Sequence, residues 1–285
     1  MTETTTENQT KLPYIPQEIK ALVENLPFIT DAIGMSDSTV LMFPDSVLKI
    51  QKTTAETRNE VEIISWLNGK LPFPKIIKYI EENNISYTLQ SRIQGKMLCD
   101  DEYLSSPETL INIAAAALKL LWSVDVTNCP VLTVSPLKQR LKQARYIVEN
   151  HLEETDVEPE TYGPNGFKNP QELLEWLEEN QPEEDIVMTH GDFCLPNIFA
   201  NGNKIAGFID LGKAGPADRW QDIAIAIRSI RHNLDGTYGG KKIMDFTPDM
   251  LLDKLGIPMD KKNINITSCW MNFSKTNTFL IKLQI

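Results

Sequence analysis

Apolar residues recur along this chain with two different periods, and the change from one to the other divides it into unequal parts. In the first part, short apolar runs at residues 28–33, 40–43 and 47–51 are separated by turn-forming residues such as Gly34-Met35-Ser36-Asp37 and Pro44-Asp45. That pattern predicts strands of an antiparallel meander. Residues 54–68 carry apolar side chains at helical spacing (Val61, Ile64, Leu67) and stop at Gly69, with Pro72 and Pro74 beyond, so one helix interrupts the strands. Runs at 76–80 and 85–90, split by Glu81-Glu82-Asn83-Asn84, predict a hairpin. With a short helix near 17–26, the expectation is a five-stranded antiparallel sheet with one inserted helix.

From about Ile93 the period lengthens. Residues 107–122, 137–150, 171–180 and 219–231 read as helices, and two short apolar strands, 186–189 and 205–209, bracket a loop. The fold class expected is α+β, with residues 16–93 as a first lobe and 94–265 as a larger, mainly helical second lobe. Residues 1–15, rich in Thr and Glu at their start, are expected to be a disordered leader.

Composition narrows the function classes. No apolar run among the 285 residues is long enough to span a bilayer, and the N-terminus lacks the basic start and apolar stretch of a signal peptide, so a cytoplasmic protein is expected. Cys99, Cys129, Cys194 and Cys269 are scattered without a CxxC pair, which argues against a disulfide or metal-thiolate framework. A formal net charge of −11 argues against a nucleic-acid partner. No membrane or obligate protein partner is indicated either. The acid is concentrated from Glu149 to Asp185, where Lys168 is the lone lysine or arginine. Such a run is either a solvated helix face or a field that attracts a polycation.

The chemistry is carried by His190-Gly191-Asp192-Phe193-Cys194-Leu195-Pro196-Asn197, followed downstream by Asp210-Leu211-Gly212. Their order and spacing match the kinase catalytic loop H-x-D-x-x-x-x-N and the D-x-G metal motif. Asp192 can accept a proton from an attacking hydroxyl. Asn197 and Asp210 offer hard oxygen ligands suited to magnesium on a triphosphate. His190 is expected to buttress the loop, and Gly212 to let the backbone turn past the metal ligand. Phosphoryl transfer also needs a strand lysine and a helix glutamate to hold it. Lys49 and Glu60 fit, with Glu56 and Glu62 as alternatives on the same helix. The turn at Gly34 sits where a phosphate-covering loop belongs, although it has one glycine and no GxGxxG.

These residues resemble the aminoglycoside 3'-phosphotransferases. The segments that carry the likeness are Val187-Met188-Thr189-His190-Gly191-Asp192, the run from Gly207-Phe208-Ile209-Asp210-Leu211-Gly212 through Asp218-Arg219-Trp220-Gln221-Asp222-Ile223-Ala224, and Arg228-Ser229-Ile230-Arg231. The resemblance implies a protein-kinase-like two-lobed fold, ATP or GTP as donor, and two magnesium ions held by Asn197 and Asp210. It implies Asp192 as catalytic base, Lys49 and Glu60 as the phosphate-binding pair, and adenine against the backbone near Ser91 and Ile93. The acceptor implied is the 3'-hydroxyl of kanamycin- or neomycin-like antibiotics, small polycations for which Glu158 and Glu160 are the expected ammonium partners. Arg228 corresponds to an arginine beside the drug site, or alternatively pairs with Asp222 or Asp218. A catalytically silent nucleotide-binding relative, or a kinase of another small hydroxylated substrate, is the alternative.

The likeness breaks after Asn265. Family members end in a helix resembling Tyr-Tyr-Ile-Leu-Leu-Asp-Glu-Leu-Phe, whereas residues 266–285 here are rich in Lys, Asn and Thr. Codons for Cys269-Trp270-Met271-Asn272 read Leu-Asp-Glu in another frame whichever are used. A single-base deletion near Asn265 is the expected origin, with weakened antibiotic binding as its consequence.

Overall fold

The structure, a computed structural model, describes residues 13–30, 38–131, 136–152, 161–162, 164, 166–181, 183–238 and 240–260. The glutamates expected to meet the substrate (Glu158, Glu160), the turn at Gly34 and the tail 266–285 lie outside them.

The chain opens with α1 (Gln17–Val23) and strands β1 (Ile29–Thr30), β2 (Thr39–Met42) and β3 (Ser46–Lys52). Next comes α2 (Ala55–Leu67), then β4 (Ile76–Glu82) and β5 (Ile85–Ser91). The strands form one antiparallel sheet in the order β1-β2-β3-β5-β4, with β3 in the middle opposite both β2 and β5. One face of this sheet buries Leu41, Phe43, Leu48, Tyr87 and Leu89 against Ile19 and Val23 of α1. The two-residue period of the strands and the helical period of α1 therefore meet in one small core.

By its contacts the chain divides into two units, Met1–Thr53 with Ile76–Arg92, and Thr54–Lys75 with Ile93–Ile285. Helix α2 is thus counted with the second unit, although in sequence it interrupts the strands. Asn59 on α2 is tied to that unit, donating its amide hydrogens to the carbonyls of Gly212 and Ala214, each at 2.9 Å. The start of α2 is fixed by Thr54, whose hydroxyl accepts from the Thr57 amide while the Thr57 hydroxyl meets the Thr54 amide.

The second unit continues through β6 (Lys96–Met97), α3 (Asp101–Leu104), α4 (Pro107–Trp122), α5 (Pro136–Glu149), α6 (Pro170–Glu179) and β7 (Ile186–Thr189). It ends with β8 (Ile198–Asn201), β9 (Lys204–Phe208), β10 (Gly215–Asp218), α7 (Trp220–Asp235) and α8 (Pro248–Leu255). Strands β6, β8 and β9 form a three-stranded sheet, and β7 pairs antiparallel with β10. The main core gathers Leu110, Leu118 and Leu121 of α4, Ile223, Ile227 and Ile230 of α7, and Phe193, Ile198 and Phe208 from the loop and hairpin. Helices α5 and α6 keep a separate core of Ala144, Ile147, Val148, Leu173, Leu174 and Leu177. None of the described helices is long and apolar enough to cross a membrane.

Candidate functional site

Strand β7 delivers His190-Gly191-Asp192 at its end, held by pairing with β10, where the Thr189 hydroxyl also donates to the Gly215 carbonyl at 2.8 Å. The chain then turns through Leu195-Pro196-Asn197 into the β8–β9 hairpin and returns at Ile209-Asp210. The return is tight. Ile209 N–H donates to the Asn197 carbonyl at 3.0 Å, so the backbone carries Asp210 to within one residue of Asn197. Asn197 also donates its side-chain amide to the Asp192 carbonyl at 3.0 Å, which commits the nitrogen end and orients the amide oxygen as the remaining acceptor. The sequence-predicted trio Asp192, Asn197 and Asp210 is thereby linked by two hydrogen bonds and a single hairpin.

The loop backbone is anchored from α7. Asp222, fully buried, accepts the His190 amide on one carboxylate oxygen at 2.6 Å and the Gly191 amide on the other at 2.9 Å. Ser229 accepts the Leu195 amide at 3.0 Å, and Gln221 donates to the Gly191 carbonyl at 3.3 Å. Burial pushes the Asp222 carboxyl up to about 7 against the pull of those two amides and of Arg140, with Asp192 adding to the rise.

His190 is fully buried and packs edge-on against Phe193. Its Nδ1 accepts the Asp192 amide at 3.3 Å, and burial holds the ring below the ordinary histidine value despite Asp192 and Asp210 nearby. A neutral, walled-in imidazole of this kind shapes the loop, as the sequence suggested. The Cys194 thiol is pushed far up by burial and stays protonated, so it offers no nucleophile.

Two glycines explain the loop's path. Gly191 sits at φ +80°, and a Cβ there would fall 2.1 Å from the Lys213 carbonyl oxygen. Gly191→Ala is therefore expected to cost about 2 kcal/mol or more, the left-handed penalty plus a backbone clash. A urea midpoint unchanged from the parent would contradict this. The chain turns at Gly212 as the sequence led us to expect, with the Ala214 amide donating to the Leu211 carbonyl at 3.0 Å, and just before it Asp210 is itself left-handed, at φ +60°. Gly212 also serves close approach, since a Cβ there would lie 3.2 Å from that of Glu56 on α2. Backbone held in this region by a non-glycine residue marks a place where surrounding structure overrides local preference.

Lys49 lies buried in β3, in register between Val40 and Thr88, and Glu60 is buried on α2. Ser91 closes β5 opposite Ser46, and Ile93 packs where a side chain at Gly207 would otherwise sit. Arg228 is on α7, six residues after Asp222. Among the described acids of the 149–185 stretch, Glu172 pairs with Lys168, Glu178 with Arg145 and Asp185 with Arg219. Those three are committed to local ion pairs.

Asp222, Ser229, Gln221 and Arg140 were not identified from sequence as supports of the loop. A signal existed for two of them. Asp222, Ala226 and Ser229 recur at helical spacing among the buried residues of α7, and a polar group on an apolar face needs an internal partner.

As to metal, no cluster of three or more His, Cys, Asp or Glu side chains suited to an ion occurs among the described residues. One amide oxygen and one carboxylate, both hard donors on adjoining backbone positions, fit a magnesium ion that takes its other ligands from phosphate and water.

The model of a family described as "Phosphotransferase enzyme family" matches residues 25–250. An aminoglycoside 3'-phosphotransferase of Enterococcus faecalis is 35% identical over 264 residues, covering 88% of this chain and 94% of that protein. The crystal structure of an aminoglycoside-3'-phosphotransferase of type VIII shares the fold with a TM-score of 0.69 at 20% identity, over 90% of this chain and 97% of the other. An aminoglycoside phosphotransferase from Streptomyces rimosus, solved in complex with ADP and streptomycin, does so with a TM-score of 0.68 at 21% identity, over 90% and 95%. The α+β architecture expected from the sequence is the one these structures share.

Proposed function

Because the chain belongs to the phosphotransferase enzyme family, we propose that it moves the γ-phosphate of ATP onto the 3'-hydroxyl of a kanamycin- or neomycin-like aminoglycoside and so inactivates the antibiotic in the cytoplasm. One observation carries the reading: Asp192, Asn197 and Asp210 are tied together by the Asn197–Asp192 bond and the Ile209–Asn197 bond on a loop anchored through Asp222. The Enterococcus faecalis relative, by name a 3'-phosphotransferase, supports the acceptor hydroxyl, and the ADP complex of the Streptomyces rimosus protein supports the nucleotide.

In this reading the hydroxyl oxygen attacks the γ-phosphorus while its proton passes to the Asp192 carboxylate. The bond from the γ-phosphorus to the bridging oxygen breaks, and its electron pair leaves with ADP. Asn197 and Asp210 would hold magnesium, which when bound neutralises charge on the phosphate oxygens. Lys49, steadied by Glu60, would contact the α- and β-phosphates, with adenine against the backbone at Ser91 and Ile93. Glu158 and Glu160 would receive ammonium groups, and Arg228 would stand beside the drug.

The test is a panel of aminoglycosides with and without the 3'-hydroxyl, followed by ADP release and by mass. Compounds that carry the hydroxyl are expected to gain one phosphate, and those that lack it to gain none. Equal modification of both groups would refute the regiochemistry.

A further inference from the structure

The structure assigns to Arg140 and Gln221 a positioning role: together they form a side-chain relay from helix α5 to the backbone of the loop that carries Asp192. Arg140 on α5 donates from its guanidinium to the Gln221 side-chain oxygen. Gln221 on α7 donates its amide nitrogen to the Gly191 carbonyl at 3.3 Å, one residue before Asp192. The direction of this relay is forced. A guanidinium has donors and no acceptor, so it can meet only the oxygen end of the glutamine amide, and the nitrogen end must then face the carbonyl. Gly191 is thus gripped on both sides, its N–H by Asp222 and its C=O by Gln221.

Arg140 is set among Asp218, Asp222 and Glu184, which oppose the burial that pushes its guanidinium down from the ordinary value. The start of α5 is tied to the same place, since the Leu137 amide donates to Glu184 at 3.1 Å. Helix α5 leads directly into the acidic 149–185 stretch, where the proposed function puts the ammonium partners of the substrate. The relay therefore joins the helix entering the substrate segment to the loop bearing the base, and this part of the argument rests on that functional reading.

The informative substitution is Gln221→Glu. A carboxylate keeps, and strengthens, the bond to Arg140, but it has no hydrogen to donate to the Gly191 carbonyl. The expected result is a fall in kcat of about tenfold, with KM for nucleotide and aminoglycoside within twofold of the parent and an unchanged melting midpoint. Arg140→Met is expected to lower kcat to a similar degree, Arg140→Lys to recover most of it, and the double variant Arg140→Met, Gln221→Glu to be no worse than the poorer single one. Amide exchange at His190 and Gly191, followed by NMR, gives a readout independent of turnover and is expected to quicken in Gln221→Glu. Parent-like kcat and parent-like exchange in Gln221→Glu would overturn the relay. A parent chain that phosphorylates no aminoglycoside would sink the functional reading, and the exchange comparison would then decide the relay by itself.

Discussion

Asp192→Asn is expected to lower kcat about a hundred- to ten-thousand-fold, the usual contribution of a positioned general base. The change is nearly isosteric and leaves the main chain untouched. The Asp192 carbonyl still accepts the Asn197 amide at 3.0 Å and the Cys194 amide at 2.8 Å, so the loop keeps its shape while the proposed proton acceptor is lost. Nucleotide affinity and the melting midpoint should therefore stay close to those of the parent. Isothermal titration with ADP, read beside steady-state kinetics, separates the two quantities. A variant that retained more than a tenth of the parent kcat would refute Asp192 as the base.

Asp222→Ala is expected to be the most destabilising single change at the site, on the order of 3 kcal/mol, because it strips the acceptors from two buried amides, those of His190 and Gly191. Urea unfolding measures the loss. Asp222→Asn brings out the second property of this carboxyl. Its folded-state value of about 7 lies above the ordinary carboxylate range, so between roughly pH 4 and 7 the folded protein holds a proton that the unfolded chain has released. The stabilising contribution of that proton is present in full below the unfolded value and disappears as pH rises through about 7. The parent's unfolding free energy should thus fall with rising pH across this window relative to Asp222→Asn, by at most about 1.4 kcal/mol per unit. Parallel curves for the two proteins from pH 5 to 8 would show that the carboxyl is not raised.

Much of this was legible in the chain itself. The helices 54–68, 107–122, 137–150 and 171–180 match α2, α4, α5 and α6 to within one residue at each end, because each has an apolar stripe and most carry a Pro, Thr or Asn at the start. Strands that bury one face in the sheet core were equally visible. The elements that escaped are short or weakly patterned. Strands β6 and β10 have two and four residues, and β10 reads Gly-Pro-Ala-Asp, which has no strand signature. Helix α8 was missed although Leu251, Leu252 and Leu255 are buried at helical spacing after Pro248. The left-handed backbone at Asp210 carried no local signal, since propensity reserves that conformation mainly for glycine.

The sequence by itself determined which chemistry is possible here, because the order and spacing of His190, Asp192, Asn197 and Asp210 define donors and acceptors that few other uses would need together. It also determined the secondary elements that carry them, through periods read over a dozen residues at a time. Only the tertiary structure decided which buried groups hold those residues in place. The Asp222 clamp, the Gln221–Gly191 bond and the Asn59 link between α2 and the segment after β9 join positions 30 to 155 residues apart. Local pattern cannot reveal such pairs. A buried polar group must find a partner somewhere, but which partner depends on how the whole chain packs.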